Sequence, residues 1–97
     1  MLLRIPDNIR SVHGPDGGTV LDIGHGRMFN LNPVGSRILE LLKTGHAESK
    51  IAMEISKEFG VGPETIELDV REFLASLVSY KLLETDNAEV LSPESAQ

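Results

Sequence analysis

The hydrophobic pattern of this chain changes period at Asn32-Pro33, and that change constrains the fold more than any other feature. Before it, short β-branched segments are separated by tight turns. After it, apolar residues recur at three- and four-residue spacings. A period of two belongs to strands and a period of 3.6 to helices, so the sequence predicts a sheet followed by a set of helices. Neither part buries its own apolar face alone, so the two must share one core.

Pro15-Asp16-Gly17-Gly18 is a strong turn signal, because proline presets φ and glycine accepts positive φ. It separates Ile9–His13 from Thr19–Ile23, and Gly24-His25-Gly26 separates the latter from Arg27-Met28-Phe29-Asn30-Leu31. These segments predict an antiparallel meander of three strands at about 9–14, 18–23 and 27–31. Asn32 suits an N-cap and Pro33 the first helical position. Ile38, Leu39, Leu41 and Leu42 make one face of a first helix that Gly45 ends. Ile51, Ala52, Ile55 and Phe59 stripe a second helix, from about 48 to 59, in which Lys50 and Glu54 can pair. Ile66, Val70, Phe73, Leu74, Leu77 and Val78 stripe a third, from Pro63 to about Tyr80. Leu82-Leu83-Glu84 is expected to be a short docked or extended segment. Residues 1–84 are expected to form one domain, and 85–97 a polar tail.

Composition excludes several classes. The chain has 97 residues and no cysteine, which removes disulfides, thiolate metal sites and a cysteine nucleophile. No apolar run approaches the length of a membrane span or a signal peptide, so a cytoplasmic protein is expected. Residues 1–46 carry five basic and four acidic side chains, and residues 47–97 four basic and eleven acidic. The whole acidic excess therefore lies in the C-terminal half. A helix-turn-helix reading would use the last two helices, but there Glu64, Glu67, Asp69 and Glu72 would approach phosphates with only Arg71 opposing them. DNA binding by a winged-helix regulator is thus a disfavoured alternative, and a small dimerising scaffold a weaker one.

No motif for catalysis is present. His13, His25 and His46 have no metal-ligand spacing and are expected to be solvated; nothing in the sequence suggests that they meet Asp22 or Asp16. The serines lack a nucleophile elbow and the glycines form no phosphate loop. The carboxylates at the start of the third helix suit its dipole. No enzyme activity, cofactor or metal is expected.

Gly18-Thr19-Val20-Leu21-Asp22, Gly26, and the run Leu31-Asn32-Pro33-Val34-Gly35-Ser36-Arg37-Ile38-Leu39-Glu40-Leu41-Leu42 resemble the PqqD-like family. So do Phe59-Gly60-Val61-Gly62-Pro63-Glu64-Thr65 and Asp69-Val70-Arg71-Glu72-Phe73-Leu74. The resemblance covers about residues 8–84. It implies a RiPP precursor peptide recognition element, an α+β fold in which a three-stranded antiparallel sheet packs on three helices in a winged-helix-like arrangement. Such proteins are non-catalytic. They bind the leader of a ribosomally made precursor as a strand added to the third strand, against the third helix, and present it to a maturation enzyme.

Carried onto this sequence, the resemblance implies a site of Arg27, Met28, Phe29, Asn30 and Leu31 on the strand. On the helix it implies Glu67, Asp69, Val70, Phe73, Leu74 and Leu77, although Val70, Phe73 and Leu74 also suit the core. Acidic side chains there would meet Lys or Arg of a leader. The Asp22–Gly26 turn resembles that of discrete leader-binding proteins from lasso peptide systems, whose partner is a cysteine-protease-type leader peptidase. Pyrroloquinoline quinone members, which serve a radical-SAM enzyme, usually carry an A-P-E-R-like segment there and a cysteine that this chain lacks.

Overall fold

The computed structural model describes residues 3–85. Strands β1 (Leu3–Arg4), β2 (Ile9–Gly14), β3 (Gly17–Asp22) and β4 (Arg27–Leu31) are followed by helices α1 (Pro33–Lys43), α2 (Glu48–Phe59) and α3 (Pro63–Ser79), then β5 (Glu84–Thr85). The meander stands as expected, in the order β2-β3-β4 and antiparallel throughout. A two-stranded sheet of β1 and β5, which the sequence does not announce, ties the two ends together, with Arg4 and Glu84 forming an ion pair across it. Of the polar tail expected at 85–97, Thr85 belongs to β5 and 86–97 lie outside the described residues.

Local chemistry sets the elements. Gly17 has φ 131°, and a Cβ there would lie 2.4 Å from the carbonyl oxygen of Leu31, so only glycine fits beside the end of β4. The Asn32 side chain accepts from the Gly35 N–H at 2.7 Å, which fixes the start of α1 where the chain leaves the sheet. Gly60 ends α2 in the left-handed conformation. α3 ends without a glycine: Lys81 takes φ 65°, and the Lys81 and Leu82 N–H groups donate to the carbonyls of Val78 and Leu77. The turn buries Leu82 and Leu83 and leads into β5. The Lys50–Glu54 pair is not formed; Arg37 instead joins α1 to α2 through Glu58, at 2.8 and 2.9 Å.

One core joins the layers. Ile9 and Val20 from the sheet meet Ile38, Leu39 and Leu41 of α1, Ile51 and Ile55 of α2, and Ile66, Val70, Leu74 and Leu77 of α3, all buried. α1 packs across β2, β3 and β4, while α2 packs on both α1 and α3. Among the described residues, the helices therefore cover only the inner face of the sheet.

Candidate peptide-binding edge

The ladder determines which backbone groups remain available. The Ile23 N–H donates to the Asn8 carbonyl, so Asn8, Arg10 and Val12 point their backbone groups at β3, while Ile9, Ser11 and His13 point theirs away. By the same alternation Arg27, Phe29 and Leu31 of β4 are bonded to β3. The N–H and C=O groups of Met28 and Asn30 face outward. The two sheet edges differ. On β2, Lys43 Nζ donates to the Ser11 carbonyl at 3.4 Å and Arg10 Nη1 to the Ile9 carbonyl at 3.4 Å. On β4, no partner outside the sheet touches the backbone of residues 27–31 among the described residues.

Side chains beside that open edge alternate. Phe29 and Leu31 turn inward and are half-buried against the core, as is Phe73 of α3. Met28 and Asn30 are exposed on the outer face. Gly35 allows α1 to approach Phe73 closely, since a Cβ there would lie 3.0 Å from the ring. Tyr80, just past α3, is half exposed, and its ring lies 5.5 Å from that of Phe29. Phe29 and Tyr80 thus form an apolar floor between β4 and the end of α3, with Leu31 and Phe73 half-buried against the same core. Tyr80 was missed from sequence; its signal is a second aromatic seven residues after Phe73, which repeats the same helix face.

The remaining expected site residues are distributed differently. Val70, Leu74 and Leu77 are buried at 0%, 3% and 4% exposure and belong to the core behind this floor. Asp69 is exposed one turn before Phe73. Glu67 does not join it: with Glu48, Ser49, Ala52 and Arg71 it lines a cleft between α2 and α3.

Arg27 has a structural task. Its Nη2 donates to Asp22 Oδ2 at 2.7 Å and to the Tyr80 carbonyl at 3.0 Å, and its guanidinium lies over the Phe29 ring at 5.2 Å. It clamps the end of α3 to β4. Asp22 is 1% exposed and fully satisfied, since Oδ1 also accepts from Asn8 Nδ2 and the His25 N–H. Arg27, more than the His25 contacts, holds the Asp22 carboxyl down at a pKa of about 2. His25 Nδ1 lies 3.0 Å from Asp22 Oδ2, so a histidine expected to be merely solvated does meet Asp22. The tight turn brings the two together at a three-residue spacing.

His13 also departs from expectation. Its ring is half-buried between Ser36 Oγ at 2.7 Å and Ser11 Oγ at 2.9 Å, joining β2 to the buried start of α1. Burial, and then Lys43, lower its pKa. With Pro15, Ser36, Arg37, Glu58 and Phe59 it lines a cleft of about 370 Å³, which contains none of the expected peptide-binding residues. His46 stays at the end of α1, beside Thr44 Oγ1 and the Leu41 carbonyl. Among the described residues no group of His, Asp and Glu is arranged to hold a metal ion, and no helix is long and apolar enough to cross a membrane.

Fold and edge together define a small α+β domain with one sheet edge partly engaged by Arg10, Lys43 and Pro6 and one open edge beside an apolar floor. The chain belongs to the PqqD family: the model described as "Coenzyme PQQ synthesis protein D (PqqD)" matches residues 17–83. Among solved structures, TbiB1 in complex with the TbiA(beta) leader peptide is similar, at 38% identity and TM-score 0.77, over 84% of this chain and 94% of that one. A lasso peptide synthetase B1 complexed with the leader peptide superimposes with TM-score 0.79 at 22% identity, over 88% of this chain and 100% of that one. The PqqD truncation of Methylobacterium extorquens PqqCD, a stand-alone RiPP recognition element, gives TM-score 0.71 at 24% identity, over 87% and 89%. The latter two likenesses bear on the fold alone. A comparison with curated proteins returns no match.

Proposed function

We propose that this chain binds the leader segment of a ribosomally synthesised precursor peptide by adding it as a strand to β4, and presents it to a maturation enzyme. The open edge of β4 carries the proposal. Met28 and Asn30 offer two N–H donors and two C=O acceptors in register for an extended peptide. The floor of Phe29 and Tyr80 would receive its inward side chains, while Asp69 and the neighbouring Glu72 favour a leader with a basic residue. The likeness to TbiB1, a protein solved with a leader peptide, supports a lasso peptide system, with a cysteine-protease-type leader peptidase as the enzyme served. A radical-SAM enzyme of a quinone pathway is the second assignment, supported by the family match.

Amide hydrogen exchange read by NMR tests the strand addition. Without leader, the Met28 and Asn30 amides exchange fast, while Phe29 and Leu31 are protected. Adding the leader peptide encoded beside this chain protects Met28 and Asn30 as well. Unchanged exchange at both positions under saturating leader refutes addition at this edge. A DNA duplex that binds at low salt while the leader does not would return the chain to the regulator reading.

A further inference from the structure

Among the described residues, no helix covers the outer face of the meander. Its outward positions are Arg10, Val12, Thr19, Leu21, Met28 and Asn30. Val12 is 67% exposed, Met28 64% and Leu21 39%, and Ile23, just beyond β3, is 62% exposed. Leu21 and Met28 are direct cross-strand partners, so the apolar groups run across the sheet instead of being scattered. No carboxylate occupies an outward strand position, although the chain has a net charge of −6. Arg10 pairs with no carboxylate among the described residues and donates to the carbonyls of Asp7 and Ile9. A contiguous exposed apolar patch free of acidic groups marks an interaction surface.

We infer that this face docks the maturation enzyme, through an apolar patch on that enzyme with an acidic residue opposite Arg10. The inference rests on leader binding at β4. Residues of an added strand opposite Met28 and Asn30 would point their side chains to this same outer face, because cross-strand partners share a face. The row Arg10–Leu21–Met28 would then continue onto the leader. An enzyme seated there touches carrier and leader together, and the complete surface exists only when the leader is bound. That property couples recognition to processing. A second copy of this chain is the less suitable occupant, since two bodies of net charge −6 repel.

The experiment uses the double variant Val12→Thr/Leu21→Thr, which keeps strand-forming residues at exposed positions away from the β4 edge. Its probes are the fluorescein-labelled leader of the precursor encoded beside this chain and the processing enzyme encoded with them. The expected result is a leader Kd within about twofold of wild type, with kcat/KM for carrier-dependent processing reduced at least about tenfold. Methyl NMR signals of Val12, Leu21 and Ile23 in the wild-type carrier–leader complex should broaden when the enzyme is added. Processing by the double variant at the wild-type rate overturns the inference and leaves leader binding intact. Loss of leader affinity in the double variant also overturns it, by making the face part of the leader site. A wild-type dimer in sedimentation that the double variant dissociates assigns the face to a second copy instead. Absence of leader binding by the wild type removes the proposed function itself.

Discussion

Asp22 shows how one side chain organises the site. It is buried, yet five donor contacts from Asn8, His25 and Arg27 satisfy its two oxygens, so ionisation is stabilised within the fold. Its folded pKa of about 2 lies below the ordinary value of 3.8. A carboxylate depressed in this way contributes stability that is complete above the unfolded value and is lost as pH falls through the folded one. Thermal melts from pH 7 to pH 2 should therefore show a loss concentrated between about pH 4 and pH 2. Asp22→Asn should be less stable at neutral pH and flatter across that window. A melting temperature that falls as steeply in Asp22→Asn as in wild type would assign the acid sensitivity to other groups. Little of this was legible in the sequence. Asp22, His25 and Arg27 were each visible as turn or strand residues, but Asn8 reaches Asp22 through the β2–β3 register, and the Arg27 bond to the Tyr80 carbonyl depends on how α3 ends. That end is set by Lys81 in a conformation normally signalled by glycine, and no glycine stands there.

At the scale of elements, β4 separates two kinds of backbone group that alternate along five residues. Proline at position 28 removes an outward N–H that β3 does not use, whereas proline at 29 removes one that the ladder needs. Met28→Pro should fold with near wild-type melting and bind leader at least about tenfold more weakly, a loss of roughly 1.4 kcal/mol. Phe29→Pro should unfold or melt far lower. The pair separates fold from function: normal leader binding by Met28→Pro would end the strand-addition model. The helices make a second point. Asn32 caps α1 with its side chain, but Ala47 stands at the N-cap of α2 with no side-chain bond to offer. Ala47→Ser should stabilise the protein by about 1 kcal/mol, measured by urea denaturation, because it satisfies an otherwise unpaired N–H. No gain would mean that water already serves that end equally well. The meander and all three helices were legible, since proline, glycine and the change of period mark them. The β1–β5 pair was not: two-residue strands carry no periodicity, and the paired residues Arg4 and Glu84 stand 80 positions apart. The division between core and floor was also illegible. Val70, Phe73, Leu74 and Leu77 share one stripe, and only the packed fold shows Phe73 at its edge.

Across the whole molecule, β4 is joined to the end of α3 by Arg27 and Phe29 meeting Tyr80, while α1, which follows β4 directly, approaches α3 through Gly35 and Phe73. A leader strand laid between β4 and α3 would bridge two elements that are far apart in sequence, so its binding should be felt globally. A ligand held only by the native state adds about 2.7 kcal/mol at a hundred times its Kd, which for a domain of this size is a rise in melting temperature of roughly 10–20 °C. The same α3 carries Glu64, Glu67, Asp69 and Glu72 against Arg71, a charge pattern that disfavours a DNA duplex. Scanning calorimetry should show a saturable rise with the leader peptide, a negligible rise with a scrambled leader, and none with duplex DNA at low salt. The rise should shrink in Asp69→Asn/Glu72→Gln if basic leader residues meet those carboxylates, and high salt should then lose the difference between variant and wild type. Equal shifts from true and scrambled leader would show that charge alone, without the β4 register, accounts for binding.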